Sequence, residues 1–242
     1  MSHRSIVDWN QWLSNDQGRL VLSSEQRILQ SFLKGQYGKH AALIGVPQQA
    51  LLLKPLPMPC QLLLTPILSP NFRETRAVEC HLNEIPIASG SVDFVFLPHT
   101  LELVDNARQL LAEACRIVKP EGYLTITGFN PYSLWAIKSN SRPNLNLINS
   151  STIAKWLKLS DFELIEQAST LYSPPLQDKN LLKKLRFLEW VGNKCHLPGA
   201  GIYVLMAKAK VIPLTPIRLR WKQNIAGMRI PSSITGPTIR NT

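Results

Sequence analysis

One unbroken run, residues 91–135 (SVDFVFLPHTLELVDNARQLLAEACRIVKPEGYLTITGFNPYSLW), constrains the fold more than any other part of the chain. Val92 to Leu97 is almost wholly apolar, the pattern of a strand covered on both faces in a parallel sheet, and Pro98 stops it. Asp105 is a candidate helix cap. After it, Ala107, Leu110, Leu111, Ala114, Ile117 and Val118 recur at the spacing of one buried helical stripe. Lys119, Pro120, Glu121 and Gly122 close that helix, and Tyr123 to Thr127 is β-branched and aromatic. Strand, helix and strand joined by short connections make a βαβ unit, whose right-handed crossover lays the two strands parallel. Ligands of such sheets sit at the carboxyl ends of the strands. Those ends carry Pro98, His99, Thr100, Leu101 and Glu102 after one strand, and Gly128, Phe129, Asn130, Pro131, Tyr132 and Ser133 after the other.

The rest of the chain extends this pattern to an α/β, Rossmann-like, doubly wound sheet. His40 to Val46, Gln61 to Thr65 and Arg76 to Cys80 read as the first three strands. Pro55, Pro57 and Pro59 leave room for only about a turn of helix between the first two. Upstream, Ser23 and Gln26 form a capping-box pattern ahead of Ile28, Leu29, Phe32 and Leu33, with Gly35 placed to end the helix. Trp9 and Trp12 precede it, either as a lid over the ligand side or as core. Downstream, Ser150 or Ser151 caps a helix carrying Ile153, Ala154, Trp156 and Leu157, and Phe162 to Ala168 reads as a sixth strand. Lys179 to Lys194 suggests a basic amphipathic helix, and Gly201 to Lys208 a last strand.

A chain of 242 residues, 45% of them hydrophobic, suits one large core, assigned here to residues 1–210 with a helical segment at about 5–38. No run reaches the roughly 18 apolar residues of a membrane span and no signal-peptide core opens the chain, so a cytoplasmic location is expected. Cys60, Cys80, Cys115 and Cys195 are scattered without a CxxC, and the five histidines show no metal-ligand spacing, so neither disulfides nor a metal site is expected. No GxGxxG, P-loop or GxSxG elbow is present, which argues against dinucleotide, nucleotide and serine-hydrolase chemistry. The net charge of +11 is uneven. Beyond Glu189 there is no acidic residue, while Lys194, Lys208, Lys210, Arg218, Arg220, Lys222, Arg229 and Arg240 supply eight positive charges. Residues 211–242, with Pro213, Pro216, Pro231 and Pro237, read as a basic, disordered tail that either contacts nucleic-acid phosphates or serves only as a solubilising extension.

Over about residues 79–135 the chain resembles the class I S-adenosylmethionine-dependent methyltransferases, in their small type 11 form. The likeness rests on Ile85-Pro86-Ile87, on Ser91-Val92-Asp93 entering a strand, and on Val118-Lys119-Pro120-Glu121-Gly122 before the next. It continues more weakly, but in register, from Trp12 to the strand ending near Lys210. The resemblance implies a seven-stranded, mostly parallel sheet whose last strand runs antiparallel between the fifth and sixth. It also implies S-adenosyl-L-methionine as cofactor and methyl transfer to an acceptor that the sequence does not identify.

By position, the resemblance implies cofactor contacts from Gly45 and Val46 after the first strand, from His81, Leu82 and Asn83 after the third, and from Leu97 and Pro98 at the end of the fourth. The sequence departs from the family in two places. Of the glycine-rich turn that touches the cofactor's methionine end only Gly45 remains, followed by Val46, Pro47, Gln48 and Gln49. The second strand ends in Thr65 and Pro66 instead of a carboxylate for the ribose hydroxyls. Methyl transfer asks a protein mainly for in-line positioning and, for some acceptors, removal of a proton. His99 is the candidate general base because an unperturbed imidazole titrates near neutrality, and Glu102, Asn130 and Tyr132 are the candidate substrate contacts. The alternative is a binding module that keeps the fold without the cofactor, docking to RNA or another anionic partner through its tail.

Overall fold

The computed structural model describes residues 3–68, 72, 73, 75–137, 145–172 and 199–211. The basic tail beyond 211, and the helix expected at Lys179 to Lys194, lie outside the described residues. The elements in chain order are α1 (His3–Trp12), α2 (Asp16–Phe32), β1 (His40–Ile44), a 3-10 helix (Pro47–Leu52), β2 (Cys60–Thr65), β3 (Arg76–Glu79) and β4 (Val92–Pro98). There follow α3 (Thr100–Leu103), α4 (Ala107–Ile117), β5 (Val118–Phe129), α5 (Leu134–Ile137), α6 (Ser150–Leu159), β6 (Phe162–Thr170) and β7 (Ile202–Ala209).

The seven strands form one sheet in the order β3-β2-β1-β4-β5-β7-β6. Neighbours from β3 through β5 are parallel, and β7 runs antiparallel to both β5 and β6, as the resemblance implied. Alternation along the strands divides the core in two. On one face Ile44, Leu64, Val95, Leu97, Leu124 and Ile126 pack with Leu110, Leu111, Ala114 and Ile117 of α4 and with Ile153 and Leu157 of α6. On the other, Leu43, Leu63, Phe94, Phe96 and Val204 pack with Trp9 and Trp12 of α1 and with Val21, Leu29 and Phe32 of α2. Helices on both faces explain why the inner strands read as continuous apolar runs. At the opposite edge from the ligand ends, Asp93 ties three strands together. Its carboxylate accepts from the backbone N–H groups of Lys39 (3.1 Å) and His40 (2.9 Å) and pairs with Lys119 Nζ at 2.9 Å.

Four local expectations are corrected. Ser23 does not cap a helix: it is an exposed residue inside α2, its hydroxyl donating back to Leu20 O at 2.9 Å. The helix starts at Asp16 because the buried stripe continues upstream through Val21, Leu22 and Gly18. At α4 the cap is Asn106, whose Oδ1 accepts from Gln109 N at 3.1 Å, in place of Asp105. At α6 it is Asn149, whose Oδ1 accepts from Ser151 N, in place of either serine. In each case a neighbouring asparagine, one position after Asp105 and one before Ser150, places its oxygen on the third or second N–H of the helix. Finally, Lys119–Gly122 is absorbed into β5 as an irregular entry, with Glu121 at φ +64° and a register shift between Val92 and Phe94. Among the described residues no helix is long and apolar enough to cross a membrane.

Candidate functional site

The chain turns from the β1–β2–β3 half of the sheet to the β4–β5 half between β1 and β4. In an open α/β sheet the crevice outside the carboxyl ends at such a reversal is where ligands bind. Here the crevice is bordered by Gly45 and Val46 on one side and by Pro98 and His99 on the other. Its two backbone groups are already bridged. Gln49, on the 3-10 helix, accepts from Val46 N–H through Oε1 at 2.9 Å and donates from Nε2 to Pro98 O at 2.6 Å. The side chain is completely buried. Gly45 is what admits it, since a Cβ there would collide with Gln49 Oε1. Thr100 links the same two strand ends, its hydroxyl donating to Ile44 O at 2.5 Å with Pro98 O at 3.1 Å. Asn10 Oδ1 accepts from Gln48 N at 3.0 Å, so α1 also holds the 3-10 helix.

Next to the crevice, His99 occupies the left-handed region at φ +56°, a conformation that costs a non-glycine residue about 1 kcal/mol or more and that surrounding contacts must hold. Those contacts are carboxylates. His99 Nδ1 lies 2.8 Å from Glu102 Oε2, and Nε2 lies 3.0 Å from Glu25 Oε1, off the direction of a linear hydrogen bond. All three side chains are essentially inaccessible. Burial by itself would lower the imidazole pKa, but the charges of Glu25 and Glu102 and the hydrogen bond to Glu102 outweigh it and bring the value up to about 9. The ring therefore carries its proton at neutral pH. Glu102 Oε1 also accepts from Phe129 N at 2.7 Å, and Glu25 Oε1 accepts from the Thr127 hydroxyl at 2.5 Å. One cation thus ties α2, α3 and the end of β5 together. Trp9, Trp12 and Phe129 roof it, with Trp9 and Trp12 stacked at 5.0 Å and the Phe129 ring 4.3 Å from that of His99. Trp9 Nε1, Glu25 Oε2 and His99 Nε2 are buried without a hydrogen-bond partner.

Of the residues singled out from sequence, Gly45, Val46, Leu97 and Pro98 converge on the crevice edge, with Leu97 buried in the sheet. After β3, His81 and Asn83 are exposed while Leu82 and Ile85 are buried beneath them. The general-base reading of His99 needs a free nitrogen facing solvent, whereas the structure seals the ring between two carboxylates. Glu102 is likewise committed to His99 and Phe129, which departs from an open substrate contact. Asn130 makes a turn, its Oδ1 accepting from Tyr132 N at 3.0 Å, and leaves Tyr132 80% exposed beside the same sheet edge. Thr65 at the end of β2 donates to Ile67 O at 2.8 Å and offers no carboxylate. Sequence reasoning missed Glu25 and Gln49. Glu25 had left a signal, a lone carboxylate within the apolar stripe Leu22, Glu25, Leu29, Phe32. Among the described residues no three His, Cys, Asp or Glu side chains are placed to hold a metal ion together.

Residues 66–126 match the family model described as a methyltransferase domain. An uncharacterized protein of Escherichia coli K12, YafS, is 30% identical over 148 residues, a stretch that spans 58% of this chain and 58% of that protein. A SAM-dependent methyltransferase from Thermotoga maritima superposes with a TM-score of 0.61 at 18% identity, covering 86% of this chain and 97% of the other. Geranyl diphosphate C-methyltransferase from Streptomyces coelicolor, solved with S-adenosyl-L-homocysteine, superposes with a TM-score of 0.54 at 17% identity, covering 78% and 79%. The chain carries the class I methyltransferase fold, with a methyltransferase-domain signature over its central quarter.

Proposed function

We propose that this protein is an S-adenosylmethionine-dependent methyltransferase whose cofactor crevice is closed by its own residues in the conformation described. The observation that carries the reading is the pairing of Val46 N–H and Pro98 C=O across the switch-point crevice. Gln49 satisfies that pair with one acceptor and one donor. An amino acid's carboxylate and ammonium present the same polarity. The backbone pair therefore fits the methionine end of the cofactor once the side chain withdraws.

When bound, the cofactor supplies an electrophilic methyl carbon on a sulfonium. The chain's residues hold and orient. Val46 and Pro98 bind the amino-acid end, and Leu82 and Ile85 offer an apolar bed below the exposed His81 and Asn83. The imidazolium of His99, fixed by Glu25 and Glu102, keeps its proton and acts as a positioning residue. Through Glu102 it anchors Phe129 N, and with it the turn that presents Asn130 and Tyr132 to a methyl acceptor. Trp9 and Phe129 exclude water from this network.

A second reading, a methyltransferase-fold binding module without cofactor, is favoured by one observation: β2 ends in Thr65, not in a carboxylate able to hold ribose hydroxyls. Calorimetric titration of the full chain with S-adenosylhomocysteine separates the two. Saturable one-to-one binding is the expected result; no binding up to millimolar ligand would remove the enzyme reading and leave the module.

A further inference from the structure

We infer that Gln49 is an intramolecular competitor for the cofactor crevice, its carboxamide occupying the subsite for the zwitterionic amino-acid end and leaving when such a ligand enters. The inference rests on the cofactor reading above and adds to it the residue that sets affinity.

Three features of the chain support it. First, the carboxamide uses both backbone groups at the crevice: Val46 N–H gives to its oxygen and Pro98 C=O takes from its nitrogen. No free donor or acceptor of that pair is left for a ligand while Gln49 is in place. Second, the contact is local and easily undone. Gln49 stands only three residues from Val46, on a six-residue 3-10 helix closed by Gln49 N to Val46 O at 2.9 Å. Its flexible side chain can rotate away without displacing a strand. Third, the position is built around the occupant, because Gly45 leaves room for Gln49 Oε1 that any side chain would fill. A buried glutamine whose amide oxygen and nitrogen are bonded at two different strand ends is not required by packing of the sheet, whose apolar clusters lie on either face without it.

The exchange is close to balanced in the natural chain, since a ligand's carboxylate and ammonium replace two hydrogen bonds with two others. With the carboxamide removed, Val46 N–H loses its partner and Pro98 C=O keeps only the Thr100 hydroxyl at 3.1 Å, and an entering ligand meets no carboxamide competitor. Gln49→Ala, and Gln49→Met as a closer match in volume, should therefore bind S-adenosylhomocysteine at least about tenfold more tightly than the natural chain in calorimetry. In the natural chain, the Gln49 side-chain NH2 resonances should be slow to exchange with solvent and should lose that protection when S-adenosylhomocysteine is added. Equal or weaker binding by both variants, with clear binding by the natural chain, would overturn the competitor role and leave the cofactor reading standing. Protected Gln49 resonances at saturating ligand would do the same. Absence of binding by the natural chain and by both folded variants up to millimolar ligand would overturn both.

Discussion

The buried imidazolium makes stability fall as pH rises through the range between the ordinary histidine value and about 9. Free histidine has a pKa near 6.5, and in the folded chain the pair of carboxylates brings His99 to about 9. Below pH 6.5 the folded and unfolded chains both carry the proton, and the full contribution is present. Between 6.5 and about 9 only the folded chain retains it, so each step up in pH favours unfolding. Above about 9 the contribution is gone. The pKa difference is a change of roughly 300-fold in proton affinity, or about 3–4 kcal/mol at about 1.4 kcal/mol per factor of ten. That is a large share of the roughly 5–15 kcal/mol stability of an ordinary domain. Among the described residues no other charged group facing the ring offsets it in this window: Glu25 comes from α2, Glu102 from α3, and burial pushes the neighbouring Tyr203 phenol up, away from the range. The measurement is twofold. The His99 Hε1 resonance, assigned by its loss in His99→Gln, is followed against pH, and urea unfolding is compared at pH 6 and pH 9. The expected outcome is a titration midpoint well above 7 with a matching loss of stability. A midpoint at or below 6.5, or equal stability at both pH values, would refute the double ion pair as the structure draws it.

Two further outcomes concern the frame of the site. Gly122→Ala should cost about 1–3 kcal/mol in urea unfolding, because the added Cβ would lie 2.8 Å from Val118 Cγ1 and 3.0 Å from Asp93 O at the irregular entry to β5; an unchanged midpoint would show that the entry relaxes. Phe129→Ala should cost about 3–5 kcal/mol, while Tyr132→Ala, three residues on and 80% exposed, should leave the melting temperature within about 1 °C of the natural chain. A large loss from Tyr132→Ala would mean that this turn is structural and not a surface for an acceptor.

How far the sequence could be read follows from which interactions are local. The strands expected at Val92–Leu97 and Phe162–Ala168 and the stripe of α4 are written in short-range side-chain patterns, and the brevity of the helix after β1 in Pro55, Pro57 and Pro59, all of which depend only on neighbours a few positions away. The weakened cradle was equally legible, since Gly45 stands alone before Val46 and Pro47, and Thr65 shows no carboxylate. Cap choice was less legible: Asp105 and Asn106, or Asn149 and Ser150, are chemically near-equivalent, and a difference of one residue in the turn decides between them.

The site's electrostatics were not legible, because they join residues far apart in sequence. Glu25, His99 and Thr127 meet only because α2 packs on the face of the sheet to which Thr127 points and because β4 and β5 end side by side. In sequence His99 was a neutral imidazole near a strand end; in the fold, burial between two carboxylates makes it a held cation. Gln49 likewise looked like a polar residue in a broken motif, until the parallel pairing of β1 with β4 brought Pro98 O within its reach. The sequence by itself determined the sheet, its handed crossovers and the loss of the glycine cradle. Only the tertiary structure decided which proton is held and which side chain fills the crevice, because both depend on desolvation and on charges that a one-dimensional pattern does not bring together.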